Sequence, residues 1–495
     1  MGARGSAVGQ RSAGTVGNFD GEVDCDLGLG LDRLTVFNDG LEAPFAHRLL
    51  GCGGENGGAT EHVQILNGAV GADDGLQDNR SLNIHVLGQQ RIGRPRADGF
   101  DGHLFPLSGV GGGGNGGSRG RRGSGRGRFR TRDLQFGGVA AGANPAVNGK
   151  MTAAVLYGKE DLKIEKVPIP RVGDGEVLVK VQVALTCGTD LKVYQRGYHA
   201  RMIVPPALFG HELAGVIEEV GAGVNGFKKG MRVVALNSAP CQMCFYCSKH
   251  QENLCEDLLF NNGAYAEYIR VPKRIVEANM LIIPPGVSFE DAAMTEPLAC
   301  VLRGLHETGV EIGDTVTILG GGPIGLMFVQ VARAIGCNVV SVVKRDGQVE
   351  AAKHMGAHEI IQTTKVPDVV DAVRALSPQK RGSDVVIEAV GKPEAWEWAV
   401  DMVRKGGTVN FFGGCASGTR VQLETNRLHY SEITLKATFH HTPETVRRAF
   451  GLIAAKKIRP TDYITGEAPL SRLQQVLRHM LNRGGDIKTA IIPGH

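Results

Sequence analysis

The sequence predicts an α/β protein in which a β-rich, turn-rich half is followed by a doubly wound parallel sheet. Three observations carry this. Short valine-rich runs broken by glycine and proline fill residues 152–234. A dense set of potential metal ligands runs from Cys187 to Cys255. After Ala292, helical and strand patterns alternate, as a βαβ sheet requires.

The chain has 495 residues, room for two or three domains and a sizeable core. Hydrophobic residues make up 42% and charged residues 21%, as in a soluble globular protein. A net charge of +4 is too small at this length to imply a nucleic-acid or membrane partner. No apolar run reaches about 18 residues, so no membrane span is expected. The N-terminus lacks the charged-then-apolar pattern of a secretory signal. Met1-Gly2 with Ser6 fits only the loose myristoylation pattern, which recurs by chance. Ten cysteines without an export signal point to a reducing, cytoplasmic setting, where clustered cysteines are metal ligands rather than disulfides.

Residues 1–150 differ from the rest. They hold about half of the 71 glycines and abundant arginine, and Lys150 is their only lysine. Gly111 to Gly117 is nearly pure glycine, and Arg119, Arg121, Arg122, Arg126, Arg128 and Arg130 follow. Such composition cannot offset its ordering entropy, so the segment reads as disordered. Three interpretations compete: a nucleic-acid-binding arm with Phe129 stacking on bases, a solvated linker, or a stretch that is not a genuine part of the protein. The third is preferred, because arginine without lysine is what wrong-frame GC-rich translation yields, and Met151 opens a clean strand pattern.

Strands are expected at 152–157, at 162–167 and from Glu176, with Pro168, Pro170, Gly173 and Gly175 between them. Gly210 to Val234 repeats the pattern. Cys187 stands at a strand end and His211-Glu212 comes 24 residues on. Cys241, Cys244, Cys247 and Cys255 have the spacing C-x2-C-x2-C-x7-C. Four thiolates at such intervals suit a closed tetrahedral zinc with no open position, hence a structural one.

In the second half, Thr315–Leu319 is a short apolar strand running into Gly320, Gly321, Gly322, Pro323, Ile324 and Gly325, and an apolar helical pattern continues to Ile335 and Gly336. Strand, G-x-G-x-x-G and helix in this order form the dinucleotide fingerprint. Gly320 serves the tight turn, Gly322 the approach of the pyrophosphate, and Gly325 close helix–sheet packing. Further strands are expected at 339–343, 384–388 and 408–412. The second strand ends at Lys344 and Arg345, where an NAD site carries an acid for the ribose 2′-hydroxyl. Two cations there favour NADP over NAD. The alternative is that Lys344 faces solvent and Asp346 binds the ribose.

Cys-Gly-Thr-Asp, Gly-His-Glu, the four-cysteine loop and the fingerprint, in this order, resemble the zinc-dependent medium-chain alcohol dehydrogenases. Within that family the similarity is to the sorbitol and threonine dehydrogenase branch, over about 151–495. The resemblance implies a GroES-like catalytic domain from 151–297 and 440–495, around a Rossmann domain at 298–439. It further implies a catalytic zinc lined by Cys187, His211 and Glu212, and a later Glu-Pro motif matched by Glu296-Pro297 that brings another carboxylate. Thr189 matches the hydroxyl of the proton relay. Two zinc ions per chain, one catalytic and one structural, and a homodimer or homotetramer are expected. Lys192 stands where relatives often carry a relay histidine, and Gly230-Met-Arg-Val where many have Gly-Asp-Arg-Val. His440 and His441 receive no role.

The expected activity interconverts a secondary alcohol or polyol and its carbonyl by hydride exchange with a nicotinamide. The rivals are a zinc-free quinone or enal reductase of the same fold and a nucleic-acid-binding protein using the Arg-Gly arm.

Overall fold

The computed structural model describes residues 149–199, 201–482 and 486–494, plus four two-residue strands earlier in the chain. Those strands pair antiparallel, Glu22–Val23 with Leu34–Thr35 and Val63–Gln64 with Asn83–Ile84. The three interpretations of the Gly/Arg-rich segment concern positions outside the described residues. The second of two compact units, Ser124–His495, holds the remaining described strands and helices.

Lys150–Gly158 and Asp161–Pro168 form an antiparallel hairpin, joined by Ala207–Leu208. The larger sheet beside it is mixed and seven-stranded. Its central strand, Val177–Leu185, is buried at seven of nine positions because other elements cover both faces, which explains its near-continuous valine and leucine. Along one edge this strand pairs with Glu212–Val220, Leu185 lying opposite Glu212. Along the other it pairs with Tyr268–Val271 at its start and with Lys488–Ile492 at its end. Three distant segments therefore meet where Val177–Leu185 stops. The chain then turns at Cys187 into the helix Gly188–Arg196.

The other sheet has six strands, all parallel, in the order Glu359–Gln362, Asn338–Val343, Thr315–Leu319, Ser383–Glu388, Val403–Phe411, Thr434–Ala437. Numbered from Thr315–Leu319 this is 3-2-1-4-5-6, the Rossmann order. The helix Pro323–Ile335 links the first two strands. Proline at its first position has a backbone angle already suited to the helix, and Gly336, at φ 102°, ends it. Glu359–Gln362 and Thr434–Ala437 carry no strand expectation. Both lie at sheet edges and are mostly half-buried or exposed, so they lack the apolar run that marks an inner strand.

A continuous buried cluster runs from Val183, Leu185 and Ala214 through Leu298 and Val301 to Val316, Leu326 and Phe328, joining the two sheets. Each fully buried Val, Leu or Phe contributes about 1.5–3 kcal/mol. The helix Thr295–His306 lies in this shared core, with Gly304 against the Phe328 ring. Glu296, in its first turn, is thereby held at the junction.

Candidate active site and metal centres

Cys187 N-caps the helix Gly188–Arg196, its sulfur accepting from the Thr189 amide at 3.4 Å. His211 and Glu212 enter the neighbouring strand. Ligand atoms of Cys187, His211 and Glu212 all lie within 4.8 Å of one another. His211 Nδ1 donates to Asp190 Oδ1 at 2.9 Å, and the other Asp190 oxygen accepts from Tyr265 Oη at 2.6 Å. This fixes the ring and leaves Nε2 as the coordinating nitrogen, the arrangement in which a carboxylate orients a metal-bound imidazole. Burial alone would lower the His211 pKa, but Asp190 and then Cys187 outweigh it and hold it well above the usual value.

Glu212 is fully buried beside Lys488, whose Nζ donates to Glu212 Oε1 at 2.9 Å and to Thr186 O at 2.7 Å. Oε2 lies 2.7 Å from the same Nζ, so the ammonium faces both carboxylate oxygens. Burial pushes the Glu212 pKa up, with Lys488 pulling against it. Burial likewise opposes the Lys488 charge, but Glu212 outweighs it and raises the Lys488 pKa. A cysteine sulfur, an imidazole nitrogen and a carboxylate oxygen within 4.8 Å of one another fit a zinc ion with a further position open.

Glu296 is not part of that group. Its carboxylate lies within 4.8 Å of ligand atoms of His440 and His441, on the return of the chain from the parallel sheet. It still feels His211 and Glu212, and burial pushes its pKa up to about 7. His441 Nε2 donates to Asn237 Oδ1 at 3.0 Å, and His440 Nε2 lies 2.5 Å from Ser238 Oγ. Burial lowers both imidazole pKa values, His441 to about 3, so both are neutral.

The four-cysteine loop closes on itself. Sγ–Sγ distances are 4.0 Å for Cys241–Cys247, 3.6 Å for Cys244–Cys247 and 3.8 Å for Cys244–Cys255. A tetrahedron with Zn–S bonds of about 2.3 Å has edges of about 3.8 Å, so the sulfurs already stand at ligand spacing. The Cys247 amide helps lower the Cys244 thiol to about 6, whereas burial pushes Cys247 up to about 12.

In the parallel sheet, Gly320 sits at φ 121°, and a Cβ on Gly325 would lie 1.8 Å from Gly320 O. A Cβ on Gly322 would point into open space at the helix N-terminus, where a pyrophosphate would approach. Pro323 and Ile324 open the helix itself. The Lys344 and Arg345 amides both donate to Gln348 Oε1, at 3.2 and 3.1 Å, and Gln348 Nε2 donates to Gly321 O at 3.1 Å. One side chain thus ties the two cations to the glycine loop. Asp346 Oδ1 accepts from Gln362 Nε2 at 3.0 Å and from Lys365 Nζ at 3.2 Å.

Half-buried Thr189 and exposed Lys192 share one helix. The Lys192 charge reaches Glu388 and Cys415 in the parallel-sheet half. Glu388 Oε1 accepts from the Val390 and Gly391 amides at 2.7 and 2.8 Å, yet burial pushes its pKa up to about 7. A raised carboxyl pKa contributes stability that is complete below the usual value of 4.5 and lost as pH rises through about 7. Urea denaturation at pH 5 and pH 8 should show a larger loss for wild type than for Glu388→Gln. Equal losses would assign the effect to other groups.

Asp190 belongs to a quoted motif but carries no expected role, and Tyr265 and Lys488 have none either. The one available signal for Lys488 is a cation inside the apolar run Ile487-Lys-Thr-Ala-Ile-Ile492.

Among the described residues no helix is long and apolar enough to cross a membrane. The alcohol dehydrogenase GroES-like domain matches residues 173–280, and the zinc-binding dehydrogenase domain matches 323–455. The sorbitol dehydrogenase of Bacillus subtilis (strain 168) is 32% identical over 338 residues, 67% of this chain and 94% of that one. The L-threonine 3-dehydrogenase of Bacillus licheniformis is 32% identical over 355 residues, 70% of this chain and all of that one. A structure described as a zinc-binding dehydrogenase from Sinorhizobium meliloti 1021, bound to NADP, superposes with a TM-score of 0.64 at 30% identity, covering 70% of this chain and 100% of that one. With a GroES-like half and a Rossmann half, this chain belongs to the zinc-dependent medium-chain alcohol dehydrogenases, in the sorbitol and threonine dehydrogenase branch.

Proposed function

We propose that the protein interconverts a polyhydric secondary alcohol and its ketone with NADP(H), using one catalytic and one structural zinc per chain. The observation that carries this is the convergence of Cys187, His211 and Glu212, with His211 oriented by Asp190. Zinc at this centre would polarise the substrate hydroxyl and lower its pKa, and the nicotinamide would exchange the hydride. Thr189 Oγ takes the hydroxyl proton and passes it outward. Lys192, on the same helix, stands where relatives often carry the relay histidine. Asp190 and Tyr265 keep His211 in one tautomer, and Lys488 pairs with Glu212. Glu296 lines the centre from the junction helix. Cys241, Cys244, Cys247 and Cys255 stiffen their loop around the second zinc.

On this reading 151–297 and 440–495 form the catalytic domain, and 298–439 holds the cofactor. Gly320, Gly322, Pro323, Ile324 and Gly325 receive the pyrophosphate, and Lys344 and Arg345 the 2′-phosphate. A homodimer or homotetramer and a reducing, cytoplasmic setting complete the proposal. The exposed Met243 and Phe245 of the cysteine loop support the former.

The test is a panel of polyols, threonine and simple secondary alcohols with NAD and NADP, read by nicotinamide absorbance. Activity on none of them would overturn the reading. In the same assay Lys344→Asp should lower kcat/KM for NADP by about 10–100-fold, the scale of one lost charge-assisted contact, and improve it for NAD. A variant that gains nothing with NAD argues against the 2′-phosphate assignment.

A further inference from the structure

The four-cysteine loop grips the chain's return from the parallel sheet at three consecutive residues. Inside the loop, buried Asn253 donates from Nδ2 to the Phe439 carbonyl at 3.1 Å. Just before the loop, Ser238 Oγ meets His440 Nε2, and Asn237 Oδ1 accepts from His441 Nε2 at 3.0 Å. Asn253 stands two positions before Cys255, and Ser238 three before Cys241. The two grips are therefore joined through sulfurs that already stand at ligand spacing, Cys241 to Cys247 at 4.0 Å and Cys244 to Cys255 at 3.8 Å.

The gripped residues need holding. His440 keeps φ 68°, a left-handed conformation that a non-glycine residue retains only where its surroundings impose it. The Phe439 carbonyl also accepts from Arg303 Nη1 at 3.0 Å, and Arg303 lies on the helix Thr295–His306 that carries Glu296. One oxygen thus joins the cysteine loop to the helix at the junction of the two sheets. It also sets the Asn253 amide, because the exchanged orientation would place two acceptors face to face. With Asn253 replaced, Phe439 O would keep Arg303, so an apolar residue of similar size leaves no carbonyl unpaired.

We propose that the four-cysteine loop is a clamp and that Asn253 is its positioning residue. With zinc on the four sulfurs, Ser238 and Asn253 are kept at one spacing, and the return at 439–441 is held beside Glu296. The inference rests on the reading of the loop as a zinc site and goes beyond it. Metal on the loop then governs turnover through a contact that spans 186 positions, in addition to stabilising the fold.

The experiment is hydrogen exchange on zinc-loaded wild type, Cys244→Ala, Asn253→Leu and the double variant, with metal analysis and steady-state kinetics on the same samples. Amides in 437–442 should exchange about 10-fold faster in each single variant, and the double variant should add little. Asn253→Leu should keep the wild-type zinc content, lower kcat by about 10-fold on the best alcohol of the panel, and leave the KM for NADP within about two-fold. If Cys244→Ala folds poorly, Asn253→Leu alone carries the test. Faster exchange confined to 241–255, or unchanged exchange at 437–442 in Asn253→Leu, would overturn the clamp. Loss of a zinc equivalent from Asn253→Leu would overturn the positioning role, since the residue would then serve the metal site itself. Faster exchange with unchanged kcat would overturn it as well. Exchange is read without substrate, so wild-type inactivity on every alcohol would remove the dehydrogenase reading while exchange still decides the clamp.

Discussion

Cys187→Ala is expected to lower turnover by at least about a thousand-fold while NADP(H) binding stays within about two-fold. Cys187 is the only sulfur in its group, and its removal leaves one imidazole and one carboxylate already committed to Lys488. The glycine loop and the Lys344–Arg345 turn lie in the other sheet and depend on Gln348 rather than on Cys187. Cys244→Ala should do the reverse. It should lose one zinc equivalent and more than about 2 kcal/mol of stability, because metal binding there is folding energy, yet keep measurable kcat at low temperature. Steady-state kinetics, NADPH fluorescence titration, metal analysis and denaturant melts on both variants separate the cases. If both lose fold and activity alike, the division into a catalytic and a structural centre is wrong.

Lys488→Met should cost about 3–5 kcal/mol, a large effect for a residue outside any recognised motif. Lys488 and Glu212 are at most 2% exposed, and among the described residues the ammonium is the one cation in an ion pair with the carboxylate. Taking it away leaves a buried, unpaired charge, and Glu212 must take up a proton to survive. The double variant Lys488→Met with Glu212→Gln should recover most of the loss, since replacing both charges removes the desolvation problem as well. Urea denaturation of the two variants in metal-free buffer makes the comparison. A single-variant loss below about 1 kcal/mol would mean that water reaches the pair.

The ligand inventory was legible because its signals are short in sequence. Four cysteines within 15 residues and a glycine loop between a strand and a helix need only local spacing, and the structure sets them in the expected surroundings. The supporting groups were not legible, because their partners are remote. Lys488 meets Glu212 across 276 positions and His441 meets Asn237 across 204. No periodicity encodes such pairs; only the sheet register creates them. Glu296 shows the same limit. Its Glu-Pro motif placed it at the junction, but the chain's return at His440-His441 decides which side chains it faces.

The position of Lys488–Ile492 at the end of Val177–Leu185 has a consequence for biosynthesis. The parallel sheet is made of strands that succeed one another in the chain, so it can pair while translation continues. The other sheet cannot close its catalytic end, because the strand that neutralises Glu212 emerges about 300 residues after Thr186. Closing so long a loop is slow, and sequence-distant pairing comes late. The parallel sheet is therefore expected to pair before Lys488–Ile492 docks, and the cluster of Cys187, His211 and Glu212 is expected to close late.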